Sequence, residues 1–224
     1  MKRFVSWAAV VGLAAAAWGA DVVVEPAPPG VAYPMPPVYD GELELKWDSG
    51  TPAWWIAWIT GLGQWLGNDF DVSTIRKYDG IKTIRVMTRL DWPNEKWDGF
   101  RVGVYAFNRV PGSLMWPTAG GGYFFKPKGE TGWKDVPVNW TLPRGVTAFL
   151  AAWEQFYDYP NFDPYGIDDN PTFRRHTWEY WRDQWELFEH GPAYPYQNLM
   201  LRVVVADDVA VAPTSLGRVK ALYY

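Results

Sequence analysis

The sequence predicts an all-β protein, two antiparallel sheets packed face to face. Nineteen prolines and twenty-one glycines divide the 224 residues into short segments, which disfavours long helices and suits strands joined by turns. Many of those segments alternate apolar and polar residues at period two, the mark of a half-buried strand, and very little carries a helical period. Strands with one apolar face must bury it against a second sheet, so a sandwich is the natural solution.

Taken in order, Leu43, Leu45 and Trp47 alternate with Glu42, Glu44 and Lys46, and Asp48-Ser49-Gly50 follows as a turn. Ala53 to Ile59 is a Trp-dense apolar run, too short and too aromatic for a helix; one of its two faces must be core. Ile81 to Met87 alternates again. Phe100 to Phe107 sets Phe100, Val102, Val104 and Ala106 on one face. Gly120-Gly121-Gly122 makes a turn before Tyr123-Phe124-Phe125. Trp133 to Trp140 is a strand whose Pro137 implies an edge or a bulge. Val146 to Phe156 is apolar on both faces, as a central strand would be. Residues 177–188 read as a hairpin turning at Arg182-Asp183, Leu199 to Val205 as a β-branched strand, and Val219 to Tyr224 as a last short one.

The expected organisation is a signal peptide at 1–19, a Pro-rich leader at 20–40 and a β-sandwich domain at 41–224. Lys2 and Arg3 precede an apolar, Ala-rich stretch to Ala17, and Ala17-Trp18-Gly19 offers small residues at a cleavage site, so export is expected. Pro26, Pro28, Pro29, Pro34, Pro36 and Pro37 favour an extended leader, a tether or a strap, that forms neither ladder nor helix. No later segment is long and apolar enough for a transmembrane helix, and none is expected to insert after cleavage.

The absence of cysteine excludes thiol catalysis, disulfides and Cys-ligated zinc. A net charge of −4 gives no footprint for nucleic acid. Two histidines cannot build a three-His zinc site, and His176 reads as a surface or hydrogen-bonding residue at a strand entrance. There is no nucleophile elbow, phosphate loop or dinucleotide fingerprint.

An aromatic content of 18% is the main functional clue. Flat Trp and Tyr rings stack on the C–H faces of sugars and also serve protein interfaces. Trp47, Trp133, Trp140, Trp153 and Trp178 lie within strands and are assigned to core. Trp92, Trp97, Trp116, Tyr157 and Tyr159 lie in loops, where a rigid scaffold presents its recognition residues, and are the candidate ligand contacts. The segment 158–170 is rich in oxygen ligands. Asp158, Asp163, Asp168 and Asp169 are candidates for a structural calcium, set against ordinary turn chemistry. No cofactor is otherwise implied.

The order of features resembles secreted bacterial jelly-roll modules of the galactose-binding-like type, a group that includes many carbohydrate-binding modules. Leu45-Lys46-Trp47-Asp48-Ser49-Gly50-Thr51-Pro52 opens it, and the strands at 81–87 and 100–107 follow. Gly132-Trp133-Lys134-Asp135-Val136, then Gly166-Ile167-Asp168-Asp169, His176-Thr177-Trp178 and Trp185 come later. Asn198-Leu199-Met200-Leu201-Arg202-Val203 is similar to the strand that closes such modules. The resemblance implies a jelly-roll topology and a non-catalytic, secreted or cell-surface protein that binds a glycan or an envelope protein; some members carry a structural calcium.

Two alternatives remain open. A jelly-roll glycoside hydrolase needs two carboxyl groups roughly 5–10 Å apart, and Glu154 with Glu179 or Glu186 is the candidate pair. An outer-membrane barrel is opposed by Arg218 and Lys220, which share a strand face with Leu222 and Tyr224.

Overall fold

The computed structural model describes residues 22–58, 63–75, 77–90, 99–118, 121–158, 164–170, 172, 175–181, 183–189 and 198–207. The proposed signal peptide and the strand expected at 219–224 lie outside them. Every strand pairing is antiparallel, and the strands, numbered along the chain, form two sheets.

Sheet one runs β1 (Val22–Pro26), β3 (Trp54–Trp58), β11 (Tyr165–Asp168), β5 (Gly80–Thr88), β15 (Leu201–Ala206) and β2 (Glu42–Leu45). β14 (Asn198–Leu199) joins it on β11 and β9 (Gly132–Thr141) on β5. Sheet two runs β13 (Gln184–Leu187), β12 (Thr177–Trp181), β4 (Gln64–Asp71), β10 (Ala148–Gln155), β6 (Phe100–Asn108) and β7 (Val110–Trp116), with β8 (Tyr123–Phe125) beside β6. The main core lies between them, with Leu66, Phe70, Phe100, Val102, Phe149 and Trp153 from sheet two against Ile56, Trp58, Ile84, Val86, Tyr165 and Leu201 from sheet one. The predicted two-sheet antiparallel sandwich is therefore the observed fold.

Several local expectations hold for the reasons that generated them. β10 is central, flanked by β4 and β6, which is why both of its faces are apolar. The β5–β9 register shifts between Ile81 and Thr83, opposite Trp140 and Pro137, where proline has no N–H to give the ladder. β12 and β13 form the hairpin, with Asp183 at φ 64° in its turn.

Others differ. The Pro-rich leader does contribute to a ladder: Val22–Pro26 pairs with Trp54–Trp58 before the dense prolines begin. Beyond it, the two half-buried residues of 31–40 are Tyr33 and Pro36, spaced at the three-residue period of polyproline II. Tyr33 meets Trp55 edge-on at 6.0 Å, so the leader straps the outer face of sheet one. Both faces of β3 are consequently buried, Ile56 and Trp58 in the main core and Trp55 in a second cluster with Met87, Trp133 and Met200. Part of the loop expected after Tyr157 is also a strand, β11, buried along its whole length.

Three polar devices fix how the layers sit. Asn68 donates to Leu199 O (2.8 Å) and Leu201 O (3.0 Å) and accepts from the Thr177 hydroxyl (2.9 Å), tying β4 and β12 to the closing strands of sheet one. The Gln155 amide accepts from Trp58 N (2.7 Å) and donates to Trp58 O (2.6 Å), bridging the sheets at the far end of β3. On the outer face of sheet one, Arg202 holds Asp48 through Nε (3.0 Å) and Glu44 through a terminal nitrogen (2.8 Å), and stacks over Trp133 at 4.4 Å. Arg85 binds the other Glu44 oxygen (2.8 Å), Asp135 (2.9 Å), and the carbonyls of Pro36 (3.0 Å) and Pro37 (2.6 Å). Burial pushes the Asp48 carboxyl above its ordinary value, against the pull of Arg202.

Replacing Arg202 by alanine strands Asp48 and Glu44 without their shared cation. Urea denaturation is expected to show a loss of about 3–5 kcal/mol. Arg202→Lys is expected to recover only part of it, because an ammonium cannot reproduce the bidentate fork.

Candidate ligand-binding face

Alternation along sheet two decides what its outer face carries. In β10, Phe149, Ala151 and Trp153 point to the core, so Leu150, Ala152 and Glu154 point outward. Pairing extends that face into rows across the strands. One row reads Trp185, Tyr180, Trp65, Glu154, Arg101, Phe124, from β13 to β8. The next reads Leu187, Trp178, Gly67, Ala152, Gly103. Tyr105 and Phe107 continue the β6 side. Outer faces of sandwiches are ordinarily polar; this one is aromatic.

The small residues of the second row let the rings lie down. A Cβ on Gly103 would sit 2.9 Å from Leu114 Cδ1, 3.3 Å from the Tyr105 ring and 3.4 Å from the Trp65 ring. A Cβ on Gly67 would fall 2.6 Å from Ala151 O. Trp65 meets Tyr105 edge-on at 5.4 Å, Tyr105 meets Trp185 at 5.1 Å, and Phe107 meets Trp178 at 5.6 Å. Trp65 and Trp178 are nearly buried in this layer, at 7% and 9% exposure, whereas Tyr105, Phe107, Tyr180 and Trp185 are only half-buried.

At the β8 end the aromatic surface opens further. Phe124, outward beside Arg101, is 44% exposed; Tyr123, 39% exposed, stands opposite Val102 and so on the inner side of β8. Trp116, at the end of β7, packs on the core and pairs with Tyr123 at 5.6 Å. Tyr157 follows β10 and meets Phe156 at 4.8 Å, and Phe156 meets Phe124 at 5.4 Å. The sequence-predicted Trp116, opposite the inward Val104, thus lies on the inner side of sheet two, away from the outer aromatic rows, whereas Tyr157 is linked to the outward Phe124 through Phe156. Trp92, Trp97 and Tyr159 lie outside the described residues.

Three of the four acidic candidates, Asp158, Asp168 and Asp169, are among the described residues. Asp168 is 1% exposed and accepts from Ser49 N and, at 2.9 Å, from Asn170 N, so it locks the Asp48–Gly50 turn to β11. Asp169 is exposed beside a shallow cleft of about 420 Å³ that Ser49, Thr51 and Asn170 also line. Asp158 is exposed after β10, and Asp163 lies outside the described residues. Among the described residues no three His, Asp or Glu side chains gather as a metal site. His176 lies parallel on Trp47 at 3.6 Å with Nδ1 3.3 Å from Asp69, an edge contact of the sandwich.

The candidate hydrolase pair is separated by the sheet itself. Glu154 stands opposite Trp65 on the outer face; Glu179 stands opposite Leu66 and Glu186 opposite Glu179, on the inner face. Odd–even alternation therefore prevents Glu154 from flanking one bond with either. Glu154 is 3% exposed and lies 3.3 Å from Arg101. Burial raises it to about 7, against the opposing pull of Arg101 and of the Gly63 N–H. Burial, reinforced by the facing Glu186, raises Glu179 to about 8. Burial, then Glu154 and Tyr180, push the Tyr105 hydroxyl well above its ordinary range.

Sequence reasoning passed over Trp65, Tyr105, Phe107 and Tyr180; Trp178, assigned to core, is buried, in the cluster on this outer face. The usable signal was in β6. Once Phe100, Val102 and Val104 face inward, Tyr105 and Phe107 must face outward.

No family model matches the chain, and no curated protein matches it. The fold is that of an antiparallel β-sandwich with solved counterparts. One is the structure of the cysteine protease and lectin-like domains of Cwp84, a surface layer associated protein of Clostridium difficile, at TM-score 0.54 and 12% identity, over 76% of this chain and 37% of that one. A second is clostridial Cwp84 after propeptide cleavage, at TM-score 0.52 and 11% identity, over 76% of this chain and 41% of that one. The chain spans less than half of either, and at this identity the likeness concerns the fold.

In the unfolded chain glutamates titrate near 4.5, whereas the folded state keeps Glu154 and Glu179 protonated up to about 7 and about 8. The unfolded state therefore binds fewer protons in that window, and stability must fall as pH rises through it. Denaturation between pH 5 and 8 is expected to show this decline. Glu154→Gln and Glu179→Gln are each expected to flatten it.

Proposed function

We propose that this protein is a non-catalytic, exported binding module acting at or outside the cell surface, and that it recognises a glycan through the outer face of sheet two. The observation that carries the reading is the half-buried aromatic surface of Tyr105, Phe107, Tyr180 and Trp185, where a sandwich ordinarily presents polar residues. Rings in that state give a sugar both a flat apolar surface and, from tyrosine, a hydroxyl at its edge. Supporting it are the lectin-like domain named in one similar structure and that protein's association with a surface layer. The export pattern at residues 1–19 agrees.

The row from Trp185 to Phe124 crosses six strands, about 24 Å at the usual inter-strand spacing; Trp65 and Glu154 in its middle are 7% and 3% exposed, so the open rings stand at its two ends, Tyr180 with Trp185 and Phe124. The ligand expected is therefore an extended saccharide lying across the strands.

Intrinsic Trp fluorescence and calorimetry over a panel of oligosaccharides test this. At least one is expected to bind, and Trp185→Ala or Tyr180→Ala to weaken it about tenfold each, or about 1.4 kcal/mol. A panel with no binder, or a binder indifferent to both substitutions, removes the reading.

A further inference from the structure

The aromatic row is interrupted by a single cation. Arg101 faces outward from β6 between Glu154 on β10 and Phe124 on β8. Its guanidinium lies over the Phe156 ring at 4.2 Å, and its side chain is 29% exposed. Glu154, 3.3 Å away, is its ionic partner and is sunk into the face at 4% side-chain exposure. Phe124 rests on Gly99, where a Cβ would meet the ring at 2.4 Å, and stays 44% exposed beside the guanidinium. Gly122, at φ 115°, lets the backbone pass Trp65 and Arg101 closely: a Cβ there would stand 2.7 Å from the Trp65 ring and 3.1 Å from Arg101 Cβ.

This arrangement fits one kind of sugar better than a neutral one. A guanidinium presents a planar fork that matches a carboxylate with two parallel hydrogen bonds. An adjacent exposed ring offers a stacking surface for the pyranose that bears the carboxylate. We propose that Arg101, Phe124 and Phe156 form a subsite for a carboxylated sugar, a uronate unit within an acidic polysaccharide. The inference rests on the glycan reading above and names its ligand class.

Glu154 competes for the same guanidinium, so acidic-ligand binding is coupled to its proton. The groups facing Glu154 are Arg101 and Tyr105 from β6 and Trp65 from β4, with the Gly63 N–H at its side; Tyr180 of β12 lies one strand further, beyond Trp65. Arg101 is the one cation among them, and burial pushes the Tyr105 hydroxyl well above its ordinary range. Protonation of Glu154, near 7, leaves Arg101 with a full uncompensated charge. Affinity for a uronate must then rise as pH falls through that value, whereas a neutral sugar has nothing to exchange.

Calorimetry with a galacturonate oligomer and a neutral gluco-oligomer of equal length, at pH 6 and pH 8, tests this on the full protein. The acidic oligomer is expected to bind about tenfold tighter at pH 6. Arg101→Gln is expected to lose at least tenfold on the acidic oligomer and no more than about twofold on the neutral one; Arg101→Lys, charged but without the fork, falls between on the acidic oligomer. Glu154→Gln is expected to bind the acidic oligomer at pH 8 as tightly as the unmodified protein does at pH 6, with the pH dependence gone. Equal affinity for the two oligomers, or indifference to Arg101→Gln while Trp185→Ala still weakens binding, overturns the uronate subsite and leaves the glycan face standing. Failure of both oligomers and of the wider panel removes both.

Discussion

Two arginines face each other across neighbouring strands of sheet one, and the rest of the fold is arranged around neutralising them. Arg85 and Arg202 are opposite in register and only 3% and 2% exposed. Like charges so placed repel, and buried ones need carboxylates with good geometry. Glu44 bridges both, Asp48 serves Arg202 and Asp135 serves Arg85. Those carboxylates come from β2, from the turn after it and from β9. Charge neutrality thereby positions both outer strands of this part of the sheet. Asp168 then ties the same turn to β11.

The remaining donors of Arg85 go to the carbonyls of Pro36 and Pro37, which gives the leader its place. Prolines suit that task because they present carbonyls and no competing N–H. The outer face of sheet one is thus closed by the chain's own strap, with Tyr33 on Trp55. Sheet two is treated differently. Asn68 and Gln155 fix its height and register against sheet one, and its outer face is filled by its own side chains. One face of the sandwich is satisfied internally; the other presents half-exposed rings.

The sandwich was legible because alternation and proline placement are local. β5, β6, β9, β10, the β12–β13 hairpin and β15 announce themselves in the sequence. β4 did not, since Gly67, Asn68, Asp69 and Asp71 are poor strand residues by propensity. Asn68 is tolerated because three partners from other strands satisfy it, and Gly67 because a Cβ would strike Ala151 O. β11 was hidden for a similar reason: Gly166 leaves room for the Met87 and Met200 side chains, and Asp168 is paid in backbone N–H groups rather than solvent. The candidate face was half legible. Its residue types stood out by abundance, but which sheet and which face they occupy depends on pairings between strands distant in sequence. That is why loop aromatics drew attention while Trp65, Tyr105 and Tyr180 did not.

The aromatic face is also not what stability alone would select. The space between the sheets is already sealed by a continuous core, and the rings on the far side of β6 and β12 add a second, half-exposed apolar layer where sandwiches ordinarily carry polar residues. The face also carries Glu154 in a setting that resists its ionisation, and each step in pH toward neutrality takes stability away. A glutamine there would avoid that cost with the same shape. Carboxyls held near neutrality beside a half-exposed cation concentrate at sites that exchange protons or ligands. Proteins commonly keep such residues at the expense of stability where function requires them. The buried Glu154 carboxyl is costly as structure, an expense Arg101 only partly offsets, and it is coherent with the recognition proposed for that arginine.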